Sequence, residues 1–246
     1  MKIVRNVEQG SWDWMRLRAG KVCGSELKYL ITDKLAVRGW KTDMPNSYLY
    51  RKLDEKWIGG PREAFAGNRQ TDQGTLSEPV ARKYFASLLD TDIETVGGIE
   101  SDDGRCWVSP DGLVNSQTGL EIKCPNGEKF IGWLLNGPHV PPEHILQVQF
   151  GLYISGFTSW WFLAYCKSYP HLAVPVEHNP TIAATIKEAL YGFNDRFDEA
   201  WKILCEKNGG PPEPPQKKEP TQERPLSSWD QGAVNESDDS SQGIIP

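Results

Sequence analysis

Ile182, Ile186, Leu190, Phe193, Phe197 and Trp201 recur at three- and four-residue spacing. That is the period of one apolar helix face, and it predicts a long helix over residues 180–206. Asn179 and Pro180 supply its cap and a first-turn proline. Residues 159–166 and 172–177 are rich in aromatic and branched side chains and predict strands. Residues 141–155 predict a helix opened by proline. Residues 106–109 and 119–124 predict two strands separated by a turn over 115–118. Residues 74–89 predict a helix with Leu76, Val80, Tyr84 and Leu88 on one packing stripe and Pro79 bending its start. Residues 11–38 predict a helix pair broken at Gly20 and Gly24. No internal repeat is found. This order of helices and strands predicts an α/β (α+β) fold, with a mixed central β-sheet flanked by helices.

From Gly209 the pattern stops. Pro, Gly, Ser and charged residues dominate to the end, and such a segment cannot bury enough surface to offset its ordering entropy. The expected division is therefore a folded domain over 1–208 and a flexible tail over 209–246. Apolar residues are 38% of the 246 and charged residues 24%, a slightly polar balance that such a tail accounts for. The sequence has no apolar run long enough for a transmembrane helix. The first 15 residues lack the apolar core of a signal peptide, so a cytoplasmic protein with no membrane association is expected. Five cysteines with no C-x-x-C pair argue against a disulfide framework, a zinc ribbon or an iron–sulfur cluster. The net charge of −6 does not by itself favour nucleic acid. Residues 1–69, however, hold 14 Lys and Arg against 8 Asp and Glu, so the remainder carries −12. A basic third of this kind can dock phosphates if folding gathers its charges on one face.

The stretch with chemical content is Ser109-Pro110-Asp111-Gly112-Leu113, followed by Gly119-Leu120-Glu121-Ile122-Lys123-Cys124-Pro125. Strand alternation puts Glu121 and Lys123 on one face and Leu120 and Ile122 on the other. If the two strands pair, Asp111 comes beside Glu121 and Lys123. Two adjacent carboxylates repel unless a cation lies between them, and oxygen donors favour a hard ion, Mg²⁺ or Mn²⁺. A metal-activated water beside a lysine suits phosphodiester hydrolysis. Glu-x-Lys alone would equally suit an ordinary same-face ion pair.

These segments, together with Leu146-Gln147-Val148-Gln149-Phe150-Gly151-Leu152-Tyr153, resemble the core of the lambda exonuclease (YqaJ) family of phage recombinases, within the PD-(D/E)XK nuclease superfamily. Two upstream blocks fit in order: Trp14-Met15-Arg16-Leu17-Arg18 with Gly24-Ser25-Glu26, and Gly74-Thr75-Leu76-Ser77-Glu78-Pro79-Val80-Ala81-Arg82. The resemblance implies a restriction-endonuclease-like core and a Mg²⁺-dependent 5′→3′ exonuclease, two ions being expected and Mn²⁺ a possible substitute. Such an enzyme digests one strand of linear double-stranded DNA and leaves 3′ single strands for recombination by annealing. The resemblance assigns Asp111 and Glu121 as metal ligands with the Ile122 carbonyl, and Lys123 as the group positioning the attacking water. Glu78 completes the site from its helix, where an i,i+4 pair with Arg82 would be the plainer role. Gln147 faces the site, with Gln149 the competitor if the register shifts. Arg18, Ser25 and Ser109 match positions that hold a terminal 5′-phosphate, a suitable set of one guanidinium and two hydroxyls. The family's strand-separating wedge falls on Thr71 in an ungapped match, with Phe65 as a displaced candidate. The resemblance also implies a ring-shaped homotrimer, a single-strand annealing partner, and action inside a bacterial or infected bacterial cell. An endonuclease on the same scaffold and a non-catalytic DNA-binding module are the alternatives.

Overall fold

The long amphipathic helix and the strands that precede it organise the molecule. The computed structural model describes residues 1–39, 46–60 and 69–213, the side chains of 69–76 excepted. These lie in one unit, Met1–Pro215. The strands are β1 (Lys2–Val4), β2 (Val22–Cys23), β3 (Ile93–Glu94), β4 (Gly98–Glu100), β5 (Cys106–Val108), β6 (Gly112–Val114), β7 (Thr118–Lys123), β8 (Ser159–Ala164) and β9 (Leu172–Glu177). The helices are α1 (Trp12–Arg18), α2 (Asn46–Ile58), α3 (Arg69–Leu89), α4 (Gly127–Leu135), α5 (Pro142–Ser155) and α6 (Pro180–Asn208). A 3₁₀ helix covers Gly24–Tyr29. The fold is mixed α/β. One sheet has the order β3-β6-β7-β8-β9, with β7 and β8 parallel and the other pairs antiparallel. A second sheet has the order β1-β4-β5-β2.

Helix α6 forms as its pattern demands. The Asn179 side chain accepts from the Thr181 and Ile182 N–H groups, and Gly209 closes the helix at φ +75°, where a side chain would be strained. Its Ile182, Ile186, Leu190, Phe193 and Phe197 are buried. The expected tail lies outside the described residues from 214 onward.

The two faces of β7 decide where chemistry can occur. Leu120 and Ile122 pack with Ala81, Phe85 and Leu163 beneath α3. The opposite face meets α5 through Trp160. A Cβ on Gly119 would lie 2.3 Å from the Trp160 ring, and one on Gly151 2.7 Å. Two glycines thus admit the indole between strand and helix and bring α5 close to β7. Gln147 stands one turn before Gly151 on the same face of α5.

Three expectations are corrected. The strand paired with β7 is β6, not residues 106–109, because β5 joins the other sheet through β4 and β2. Asp111 therefore stands just before a strand rather than ending one. The α3 stripe is displaced by one residue: Val80, Tyr84 and Leu88 are exposed, while Ala81 and Phe85 are buried. Ala81 and Phe85 pack on the sheet, with Phe85 edge-on to Trp161 at 5.5 Å. Residues 11–38 hold one α-helix, not two. Gly20 turns the chain at φ +73°, and Val22-Cys23 then pairs parallel with β5. The sequence reading had no place for α2, α4, β1, β3 or β4.

His144 lies in the first turn of α5, 5.5 Å from Trp133 and 5.7 Å from Phe162, ring centre to ring centre. Its buried Nε2 has no hydrogen-bond partner among the described residues. Burial, with a smaller push from Lys123, lowers its pKa from 6.5 to about 4. The unfolded chain therefore binds a proton that the folded chain refuses, and stability should fall as pH drops from 6.5 towards 4. His144→Phe should flatten that slope in thermal melts across this range. An unaltered slope would remove His144 as its source.

Candidate functional site

The β6–β7 hairpin gathers the carboxylates. The Asp111 N–H donates to the Leu120 carbonyl at 2.8 Å, continuing the ladder. Two residues further along β7, the Ile122 N–H donates to Asp111 Oδ2 at 2.5 Å. The aspartate side chain thus stands in for a strand carbonyl and is held against β7. Glu121 is 4% exposed. Its Oε1 receives Lys123 Nζ at 2.5 Å and Gln147 Nε2 at 2.6 Å. Glu78 approaches from α3 in an ion pair with Arg82, and Arg82 Nε donates to the Asp111 carbonyl at 2.6 Å. One arginine therefore ties α3 to the start of β6.

The electrostatics follow from this convergence. Burial raises the Asp111 carboxyl well above the usual range; Glu121 and Glu78 raise it further, against the opposing pull of Lys123. Burial also raises Glu78, with Arg82 opposing. Burial lowers Lys123, but Glu121 and Asp111 outweigh it, and the ammonium is held above its ordinary range. Three acids against Lys123 and Arg82 leave the group short of positive charge. Its hard oxygen donors suit Mg²⁺ or Mn²⁺. Among the described residues, no three His, Cys, Asp or Glu side chains already stand as a ligand cluster. The expected third donor is the backbone of Ile122, whose side chain is locked in the core.

Asp111, Glu121, Lys123, Gln147 and Glu78 are thus brought together. Gln149 is not part of this group: its amide donates to the Glu177 carbonyl and accepts from the Asn179 N–H, both at 2.9 Å. Arg18 ends α1 with its guanidinium 4.5 Å from the centre of the Trp14 ring. It lines a cleft of about 1160 Å³ together with Glu78, Arg82 and Asp111. Ser25 is exposed on the 3₁₀ helix beside Gly24, whose missing Cβ would lie 3.3 Å from Gln147 Cγ. Ser109 Oγ accepts from Trp107 Nε1 at 2.9 Å, two residues before Asp111. Thr71 and Phe65, the wedge candidates, lie outside the described residues.

Sequence reasoning paired Arg82 with Glu78 alone and missed its bond to Asp111, which no spacing reveals. It gave Glu26 no role and missed Arg51, Lys52 and Glu55, which line the same cleft. Four-residue spacing of Tyr48 and Lys52, and of Leu49 and Leu53, was the available signal for α2.

A cleft carrying acids at the end of a β-hairpin, with a lysine on the same strand face, defines a class of site, and comparison with known proteins supplies the family. The YqaJ-like viral recombinase domain matches residues 13–158. The chain belongs to that family. Among solved structures it is similar to an alkaline exonuclease from Laribacter hongkongensis (LHK-Exo), at 24% identity and a TM-score of 0.69 over 81% of this chain and 98% of that one. It is also similar to a phage-related exonuclease from Haemophilus somnus 129PT, at 14% identity and a TM-score of 0.55, over 75% of this chain and 96% of that one. These likenesses show a shared fold. No curated protein matches the sequence.

An acid raised in the folded state removes stability as pH rises from its unfolded value through its folded value. Asp111→Asn keeps an oxygen for the Ile122 N–H and removes the repulsion. In EDTA at pH 8 the variant should melt at higher temperature than the wild type, with a smaller difference near pH 4. A lower melting temperature at pH 8 would show that Asp111 is not under electrostatic strain.

Proposed function

We propose that this chain is a divalent-metal-dependent deoxyribonuclease that digests the 5′-ended strand of linear duplex DNA and leaves 3′ single strands for recombination by annealing. The observation that carries the reading is the meeting of Asp111, Glu121 and Lys123 on paired strands, with Glu78 facing them from α3. Membership of a viral recombinase family and the fold shared with solved exonucleases support it.

Asp111 and Glu121, with the Ile122 carbonyl, would hold the metal, two ions being expected. A bound Mg²⁺ or Mn²⁺ lowers the pKa of coordinated water and offsets charge on the scissile phosphate. Lys123 carries a fixed positive charge beside Glu121. From Nζ it donates hydrogen bonds that hold the attacking water in line with phosphorus and offset charge on the phosphate. Gln147 donates to Glu121 Oε1 and so fixes which carboxylate oxygen turns inward. Glu78, on the far wall, accepts hydrogen bonds from water, and Arg82 holds that carboxylate and the Asp111 backbone together. Arg18, Ser25 and Ser109 bind the terminal 5′-phosphate, the guanidinium as a fork and each hydroxyl as a single donor. This end recognition favours an exonuclease over an endonuclease. A homotrimer encircling the duplex would keep the enzyme on its track. An annealing protein would receive the single strand in the cytoplasm of a bacterial or infected bacterial cell. Among the described residues, no helix is long and apolar enough to cross a membrane.

End-labelled linear duplex should release nucleotides with Mg²⁺ and none in EDTA, and closed circles should survive. Lys123→Ala should reduce the rate about 10²–10³-fold, the usual effect of losing one transition-state donor. Cutting of closed circles would replace the exonuclease by an endonuclease, and full activity of Lys123→Ala would remove the site. Arg18→Ala should lower the rate ratio of 5′-phosphorylated to 5′-hydroxyl ends, and an unaltered ratio would take Arg18 out of the phosphate pocket.

A further inference from the structure

Strand β5 carries a buried indole that the reaction described above does not use. Trp107 is 1% exposed. Its side chain and that of Ser109 lie on the same side of the extended chain, and its Nε1–H donates to Ser109 Oγ at 2.9 Å. The ring is held where it can do so. A Cβ on Gly98 would lie 2.4 Å from it, so glycine at that place in β4 admits the indole. Lys21 Nζ stands 5.3 Å from the ring centre and pairs with Glu100.

A buried indole N–H needs an acceptor, but not this one. Trp14 Nε1 donates to the Gly97 carbonyl at 2.8 Å. The buried Nε1 atoms of Trp12 and Trp160 have no partner among the described residues. Trp107 instead spends its N–H on a hydroxyl of the proposed phosphate pocket. The strands also bring the two serines of that pocket to one place. Parallel pairing sets Val22 against Cys106 and Cys23 against Trp107. Ser25 and Ser109 each stand two residues beyond that last pair, at the same end of β2 and β5.

A serine hydroxyl has one proton to give and two lone pairs to fill. A terminal phosphate dianion offers acceptors only. With one lone pair of Ser109 taken by the indole, the Oγ is fixed in place and its own proton is left to donate. Accepting one hydrogen bond also polarises the hydroxyl and strengthens the one it gives.

Resting on the phosphate-end reading of Ser109, we infer that Trp107 is a positioning residue: its indole N–H fixes the Ser109 hydroxyl as a donor to the 5′-phosphate. Trp107 itself touches no substrate. Its effect appears as discrimination between DNA ends rather than as hydrolysis.

The test uses the full chain with Mg²⁺ and two linear duplexes that differ only in a 5′-phosphate or 5′-hydroxyl. The readout is the ratio of kcat/KM for the two ends in the wild type, Trp107→Phe, Ser109→Ala and the double variant. Trp107→Phe should lower the ratio about threefold to tenfold, the worth of one neutral hydrogen bond, with the loss in KM for the phosphorylated end. In the Ser109→Ala background the same substitution should leave the ratio in place, because no hydroxyl remains to be aimed. A merely structural role would slow both ends alike. A ratio unmoved by Trp107→Phe, or lowered equally with and without the Ser109 hydroxyl, overturns the assignment. Should Trp107→Phe fail to fold, benzothienylalanine at position 107 keeps the shape of the ring and removes only the N–H; it should lower the ratio in the same way, and an unmoved ratio overturns the assignment. Ser109→Ala that leaves the wild-type ratio intact would instead overturn the phosphate-end reading of Ser109, and this inference with it.

Discussion

Everything in the site depends on one backbone donor. The Ile122 N–H, in the middle of β7, is taken by the Asp111 side chain rather than by a strand carbonyl. A buried N–H must be paired. Here the pairing brings a carboxylate beside Glu121 and in range of Glu78. The acids are thus assembled by sheet formation itself, and their mutual repulsion is the cost of that geometry. Lys123 and Arg82 offset part of it with direct ion pairs. The remaining deficit of positive charge is what a divalent cation would fill.

The surrounding packing preserves this arrangement. Gly119 and Gly151 give Trp160 its slot, and that slot sets the approach of α5, which delivers Gln147 to Glu121. On the other face, Phe85 and Ala81 seat α3 so that Arg82 and Glu78 reach the start of β6. The same two helices that bury the sheet therefore aim the polar side chains at its open corner. A third contact, Gly24 against Gln147 and Phe150, brings the 3₁₀ helix with Ser25 to that corner. Core and site are built from the same contacts.

Much of this was legible in the sequence. The three- and four-residue spacing of apolar residues located α6, an opening proline α5, and aromatic and branched enrichment β8 and β9, each within a few residues, and Glu121-x-Lys123 declared its own face because alternation is local. The partner strand was misassigned because pairing is not local. Cys106–Val108 and Gly112–Val114 both look like short strands, and only the tertiary fold sends the first to a different sheet. The α3 stripe misled because Val80, Tyr84 and Leu88 are apolar yet exposed, and the fit of Phe85 against Trp161 decided the helix rotation. Gln147 and Gln149 could not be separated by type or spacing. The structure parts them by giving Gln149 two backbone partners around the start of α6. Lys52, buried on the cleft wall, stayed invisible because a buried lysine is the exception that composition predicts against.

The central claim is that Asp111 and Glu121 converge to hold a hard cation, and metal binding by the full chain tests it most directly. Calorimetric titration with Mn²⁺ should show saturable binding with proton release, because the raised Asp111 carboxyl must ionise on binding. The released protons should scale the apparent heat with the buffer's ionisation enthalpy, and Asp111→Asn should abolish both binding and release. Folded wild-type protein that binds no Mn²⁺, or binds it as well without the Asp111 carboxylate, would contradict the account.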